Sequence, residues 1–408
     1  MPLKYISVAC ATVAAALLLI PAAAPAQGIR ITSDKPLDKL EAVAIFRDAM
    51  PTGVTVSRRG RIFVNFPRWG DKVPFTVAEI KQGLPVAFPD AEINRQDDGD
   101  AAHHFLSVQS VVIDAEDRLW VLDTGSPLMK GTVPNGPKLV AIDLTTNKVI
   151  RTILLPPEVA GAKSYMNDVR FDLSVGAAGF AYITDSSSEG PNGIVVVDLA
   201  TGHSWRKLNN DPSTRPEPDF LAIVEGQPLY KHEPGKPRTP FAAGADGIAL
   251  SPDGSRLFYC PLSSRKLYSV STAALRNEHL PAAQVAATVR LVAGKGASDG
   301  LESDATGNVY AGDYESNSIH IVAPDGSLKL LTHDATLLWP DTMSLADDGY
   351  LYVTSNQLER QPIFHDGSDF REKPYLLFRV KVDAKPVRLD KKNDKKNAQG
   401  AAEKIAQR

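Results

Sequence analysis

Six positions in the 408-residue sequence combine residue types that could do chemistry with one recurring register. Thr52, Gln109, Asn167, Asp246, Asp299 and Asp341 each stand immediately before a pair that opens a short apolar run: Gly53-Val54, Ser110-Val111, Asp168-Val169, Gly247-Ile248, Gly300-Leu301 and Thr342-Met343. All six are polar and three are carboxylates. Carboxylates brought to one narrow place repel one another unless a cation, a proton or an ammonium group offsets them. Oxygen donors such as Asp246, Asp299 and the Asn167 amide suit a hard cation, calcium above all, whereas a thiolate-seeking metal finds no partner. Crowding also splits carboxyl pKa values, which is what a paired base and acid need for proton transfer. A single Asp or Asn at a strand start is as readily a turn residue. The sixfold repetition is what argues for a site.

Other constellations carry less. Asp123, Asp185 and Asp313 each lie three residues after a repeated aromatic and just before a turn, where structural turn bonding is the simpler reading. His103-His104 lie in a Gly- and Asp-rich loop near Asp97, Asp98 and Asp100, and a plain loop accounts for them better than a metal or a base. Arg68 and Trp69 read as packing at a blade edge. No Ser, His and Asp set can be placed together from spacing, and Gly294-Lys295-Gly296 lacks the rest of a phosphate loop.

The elements that must position the six residues also repeat. An apolar residue followed by an aromatic recurs in Arg61-Ile62-Phe63, Arg118-Leu119-Trp120, Phe180-Ala181-Tyr182, Arg256-Leu257-Phe258, Asn308-Val309-Tyr310 and Tyr350-Leu351-Tyr352, the aromatics 57, 62, 76, 52 and 42 residues apart. Most copies follow a turn signal such as Ser251-Pro252-Asp253-Gly254, and an alternating strand precedes the turn. Six hairpins of this kind predict an all-β chain folded as a six-bladed β-propeller over residues 27–384. Tandem two-sheet sandwiches would not need the same strand, turn and aromatic order in every copy. If the first strand of each repeat is innermost, the six polar residues converge at one mouth of the central channel. A strand over Tyr375 to Val382 is expected to close the ring by pairing near Glu41 to Phe46, and helix is expected only in loops such as Thr272 to Asn277.

Composition narrows the partners. With 43% hydrophobic and 23% charged residues the chain can bury a sizeable core, and two cysteines exclude a disulfide scaffold or a paired-cysteine zinc module. A formal charge of −3 offers no basic field for nucleic acid. Residues 1–26 read as a signal peptide: Lys4, an apolar run from Ile6 to Ile20, then Ala24-Pro25-Ala26. The run of about 15 residues is short of the roughly 20 that span a bilayer, so no membrane span is expected and the chain is expected to be exported, periplasmic or extracellular. Residues 385–408 carry eight basic and three acidic side chains and read as a solvated tail, leaving residues 27–384 at −9.

The segments GRIFVNFPRW (60–69), SVVIDAEDRLWVLDTG (110–125), MNDVRFD (166–172), AYITDSS (181–187), GIVVVDLATG (193–202), ADGIALSPDGSRLFYCPLSS (245–264), WPDT (339–342) and TSNQL (354–358) carry a resemblance. Together they resemble the yellow and major royal jelly protein family, including its bacterial dopachrome-tautomerase-related members. The resemblance implies a secreted six-bladed propeller that in some members binds small aromatic amines at one channel end, with Thr342 and Asn356 as the matching contacts. It also implies disulfides and glycosylation in insect-type members, and a mature chain holding only Cys260 departs from them. More distantly the chain is similar to gluconolactonases and the senescence-marker-protein lactonases. For these a divalent cation is implied, with Asn167, Asp246 and Asp299 at matching positions and Thr52 where a first-blade Glu would stand.

Three functions follow as expectations. The first is binding of a small polar or aromatic molecule through Thr52, Gln109, Asn167, Asp341, Thr342 and Asn356, with tautomerisation by Asp299 or Asp246 as catalytic base. The second is calcium-dependent lactone hydrolysis with the cation on Asn167, Asp246 and Asp299. The third is a non-catalytic scaffold that binds protein through its loops. An amine, a catechol or a lactone is the expected small-molecule partner.

Overall fold

The computed structural model describes residues 31–33, 36, 38–96 and 99–391; the leader expected over residues 1–26 lies outside them. Six small antiparallel sheets are arranged as a six-bladed propeller. Their innermost strands are Val54–Val56, Val108–Ile113, Met166–Asp172, Ala245–Leu250, Ser298–Ser303 and Pro340–Leu345. Each touches the next and the sixth touches the first, so the ring is closed. The repeated aromatics sit on the second strands, Ile62–Asn65, Arg118–Asp123, Phe180–Asp185, Arg256–Pro261, Val309–Asp313 and Tyr350–Ser355. Helix is confined to short loop turns, including Thr272–Arg276, where Ser271 Oγ accepts from the Ala274 amide at 3.3 Å.

The hairpins recur because turn and aromatic act together. Asp114, in the turn before the second strand of blade two, accepts from the Glu116 and Arg118 amides, and its other oxygen accepts from Trp120 Nε1 at 2.7 Å. Asp304 does the same in blade five, taking the Thr306 and Asn308 amides and the Tyr310 hydroxyl at 2.9 Å. In blade six Asp348 accepts from the Tyr350 amide and the Tyr352 hydroxyl. Each acid thus holds its turn and satisfies the polar tip of a buried ring.

Blade six is built from both ends of the propeller sequence. Leu40–Phe46 forms its outermost strand, antiparallel to Tyr375–Lys381 from Leu40 opposite Val380 to Phe46 opposite Tyr375. This is the closure expected from the sequence, and it removes the free edges on which a propeller would otherwise open. The backbone of Ile31–Ser33 adds a parallel fifth strand to the outer edge of blade five.

Five inner strands are bulged at the positions singled out above. In blade three Met166 lies opposite Asp185 and Val169 opposite Ile183, so Asn167 and Asp168 together face Thr184. Asp246-Gly247 face Cys260, Asp299-Gly300 face Gly312, and Asp341-Thr342 face Thr354 in the same way, while Gln109 is the extra residue in blade two. A bulge leaves ladder groups unpaired and re-aims a side chain. The residue opposite the bulge binds the next blade: Thr184 Oγ1 donates to the Asp246 carbonyl at 2.6 Å, and Thr354 Oγ1 to the Thr52 carbonyl at 2.5 Å. Glycine in the bulge lets the next backbone approach. A Cβ on Gly247 would lie 2.2 Å from the Asp299 carbonyl oxygen, and one on Gly300 2.3 Å from that of Asp341.

The inner strands run away from the polar mouth, and residues 385–391, which the sequence reading placed in the tail, cross the other end; residues 392–408 lie outside the described residues. Pro386 bridges Asp304 of blade five, the Leu173 amide of blade three donates to the Leu389 carbonyl at 2.9 Å, and Lys391 Nζ donates to the Ala177 carbonyl. Beneath this strap lies a cavity of about 70 Å³ lined by Arg170, Glu302, Ser303 and Ser344. Leu389 is buried with Ile248, Leu250 and Tyr182.

Two substitutions test this architecture. Gly300→Ala is expected to destabilise the chain by about 1–3 kcal/mol in urea unfolding, because a backbone oxygen cannot move aside as a side chain can. Leu389→Ala is expected to cost about 2–3 kcal/mol in the same measurement, which a strap that merely lay on solvent would not.

Candidate functional site

Bulges place Gln109, Asn167, Asp246, Asp299 and Asp341 at the start of five inner strands, Thr52 precedes the unbulged sixth, and all six ring residues are buried. Asn167 Nδ2 donates to Asp246 Oδ2 at 2.5 Å and to Ser186 Oγ at 2.7 Å. Trp339 Nε1 donates to Asp299 Oδ2 at 2.7 Å, its indole stacked on Tyr314 at 4.1 Å. Asp341 accepts from Thr342 Oγ1 at 3.0 Å and from the Asn356 amide, and Asn356 Oδ1 in turn accepts from the Leu358 amide. Thr342 and Asn356 therefore flank one carboxylate.

Each carboxylate has a neutral N–H donor, and among the described residues none of the three has an ion pair with Lys or Arg. Asp168, their neighbour in the bulge of blade three, is different: Arg170 binds both its oxygens at 3.0 Å and Ser110 Oγ donates to it at 2.6 Å. Burial first, and then the neighbouring charge of Asp299, holds Asp246 and Asp341 well above the ordinary carboxylate range. Burial pushes Asp299 up to about 6, with the bonds from Trp339 and Asp246 opposing the rise. Asp246 and Asp299 share a hydrogen bond, so the pair binds and releases protons together and not as two independent groups.

Thr52 stands apart from the carboxylates in chemistry. Its hydroxyl accepts from Asn65 Nδ2 at 2.8 Å and donates to the Gln109 carbonyl at 3.3 Å, so it is committed within blades one and two. Gln109 Oε1 accepts from the Tyr165 hydroxyl at 3.0 Å, and Tyr165 accepts from Trp69 Nε1 at 2.7 Å. Burial, reinforced by Asp246 and Asp341, raises the Tyr165 phenol well above 10 and keeps it neutral. Tyr165 and Trp339 belong to the site although the register did not single them out. Tyr165 directly precedes MNDV and Trp339 opens WPDT, but no polar repetition marks either one.

Calcium finds only part of a coordination set here. Among the described residues no three His, Cys, Asp or Glu side chains are grouped to hold a metal ion. The Asn167 amide turns its N–H toward Asp246, and Thr52 supplies no charge. Elsewhere, Asp123 accepts the Leu106, Ser107 and Gly125 amides and pairs with buried Lys138 at 2.8 Å, the structural role expected for that series. Asp185 likewise accepts the Tyr165 and Ser187 amides. His103 is exposed and bonds Asp100 at 2.8 Å. Arg68 clamps the Phe105, Leu106 and Asn94 carbonyls.

Residues 106–386 match the major royal jelly protein family. The chain belongs to that family. Its relatives include Protein yellow of Drosophila erecta, 30% identical over 248 residues, 57% of this chain and 43% of the fly protein, and Protein yellow of Drosophila madeirensis at 31% over 247 residues, 57% and 40%. The matched region thus spans less than half the length of these curated relatives. Among solved structures a gluconolactonase from Xanthomonas campestris superposes with a TM-score of 0.50 at 14% identity, covering 86% of this chain and 93% of that one. A luciferin-regenerating enzyme gives 0.52 at 13%, covering 86% and 99%. Both likenesses concern the fold. Among the described residues of this family member no helix is long and apolar enough to cross a membrane.

The raised Asp299 pKa gives a signed prediction. A carboxyl raised by folding favours the folded state while protonated, and that contribution is present below its ordinary 3.8 and lost as pH climbs through about 6. Asp299→Asn is therefore expected to melt above the wild type at pH 8, by about 2 °C or more, and to lose that advantage at pH 4 in differential scanning calorimetry.

Proposed function

We propose that the carboxylate ring binds a small aromatic amine and serves it as base and acid. The observation that carries this reading is the set of three buried carboxylates, Asp246, Asp299 and Asp341, with no Lys or Arg paired to them among the described residues. An ammonium group would supply the missing positive charge, and Asp341, flanked by Thr342 and Asn356, is the carboxylate assigned to hold it. Trp339 and Tyr314 back the site with aromatic surface. Asp299, ionised near neutral pH, would take a proton from the bound molecule, while Asp246, kept protonated, would return one to an adjacent oxygen. That exchange is a tautomerisation. Export accompanies the reading, on the basic and then apolar leader with small residues at Ala24 and Ala26.

Calorimetric titration with dopamine, catechol and gluconolactone separates the alternatives. Dopamine is expected to bind in the presence of EDTA, catechol at least about tenfold more weakly, and Asp341→Asn to lose about tenfold or more of the dopamine affinity. Equal binding of dopamine and catechol would sink the assignment of an ammonium to the ring. A melting temperature raised by calcium in the wild type and not in Asp299→Asn would instead favour a cation and lactone chemistry.

A further inference from the structure

The ring is buried in this structure, so whatever reaches it must pass a cover. Two segments form that cover at the polar mouth. One is the insertion of residues 209–244 between blades three and four, which ends at the strand that carries Asp246. The other is the loop of residues 356–374 in blade six, which begins at Asn356. Phe220, Val224 and Leu229 of the first and Leu358 and Phe364 of the second share one apolar cluster with Tyr314 and Trp339, the stack that holds Asp299. At the seam between them Arg360 pairs with Glu225 through two hydrogen bonds, and the His232 amide donates to the Ile363 carbonyl at 2.8 Å. The Asp366 amide donates to the His232 carbonyl at 2.8 Å, and Phe241 meets Phe364 edge to face at 5.3 Å.

Inside this seam sits a carboxylate without a hydrogen bond. Glu359 is 4% exposed, both its oxygens are buried, and neither has a hydrogen-bond partner among the described residues; Arg360 Nε, at 3.8 Å, is too far. An ionised carboxylate in that position loses its water and gains only the Arg360 charge at 3.8 Å and its own backbone amide in return. We propose that Glu359 is a proton-controlled latch: protonated, it is compatible with the closed seam, and ionised, it drives the insertion and the blade-six loop apart and opens the way to the ring.

The charges around Glu359 are consistent with this role. Burial, opposed by the backbone amide of Glu359 itself and by Arg360 beside it and reinforced by the like charge of Glu225 across the seam, pushes the Glu359 carboxyl up to about 7 from an ordinary 4.5. His365, in the next turn, has its Nε2 2.8 Å from the Glu359 carbonyl oxygen, while His232 of the insertion faces Asp366 at 4.0 Å. Glu372, further along the loop, acts on Arg360. The closed form binds the proton between the two pKa values and the open form does not, so closure weakens as pH rises from about 4.5 toward 7 and then levels off, with a ceiling on the order of 300-fold. That the seam admits a ligand rests on the function proposed above; its response to pH does not.

Hydrogen exchange of the full chain without ligand, at pH 5 and pH 8 and corrected for intrinsic rates, reads the latch directly. In the wild type, protection over residues 209–244 and 356–374 is expected to fall about tenfold or more from pH 5 to pH 8 relative to the inner strands, and Glu359→Gln to retain less than half of that change on a logarithmic scale. A smaller change in the wild type overturns the latch, as does a variant that keeps half or more of it, which would assign the response to His232 and His365. Should Glu359→Gln fail to fold, Glu225→Gln serves: its transition must move to lower pH, and an unmoved or raised midpoint overturns the proposal. Failure of amine binding would leave these exchange results standing, and their failure would leave amine binding standing.

Discussion

The structure depends on one backbone device, the bulge that interrupts the innermost strand of five of the six blades. A regular strand would send successive side chains alternately into the two blade faces and leave the channel lined by backbone. Placing two residues opposite one, as with Asp299-Gly300 against Gly312, breaks that alternation and re-aims a polar side chain. Residues opposite two of the bulges also tie blades together, Thr184 donating to the Asp246 carbonyl and Thr354 to the Thr52 carbonyl of the following blade. Candidate site and ring closure are therefore one construction: the residues proposed to carry the chemistry also lie where neighbouring blades touch.

That coupling explains why three carboxylates can persist in a buried place. Each leans on a neutral donor from a different element, Asn167, Trp339 or Asn356, and none of these cancels its charge. The compensation is protonic, with Asp246 and Asp341 raised furthest and Asp299 least. Asp168 shows the other solution a few ångströms along the same chain, where Arg170 neutralises it and turns it into structure. The contrast between this paired aspartate and the unpaired ones of blades four to six separates scaffold from candidate site.

The two ends of the channel are closed by different physics. At one end a short strap ties blades three and five together through backbone hydrogen bonds and an anchored leucine. At the other, two long loops meet over the ring through a seam that encloses a glutamate whose oxygens lack a hydrogen-bond partner among the described residues. Stability concentrates where burial is apolar and bonded, and mobility is expected where a buried group lacks a partner.

Much of this was legible in the residues. Hairpins announced themselves because an acidic turn and a following aromatic recur together, and they recur because the acid bonds the ring, as Asp114 does Trp120 and Asp304 does Tyr310. The polar register before each inner strand, and the closing strand near the C-terminus, follow from periodicity and from the need to leave no free edge. What the sequence could not decide is which partner each polar group takes, because partners such as Trp339 with Asp299 or Asn167 with Asp246 lie 40 and 79 residues apart and meet only when blades stack. Tyr165 and Glu359 escaped for the same reason. Their surroundings are assembled from distant segments, and it is burial, a property of the packed ring and not of the chain, that makes the one a neutral part of the site and the other a carboxylate in need of a proton.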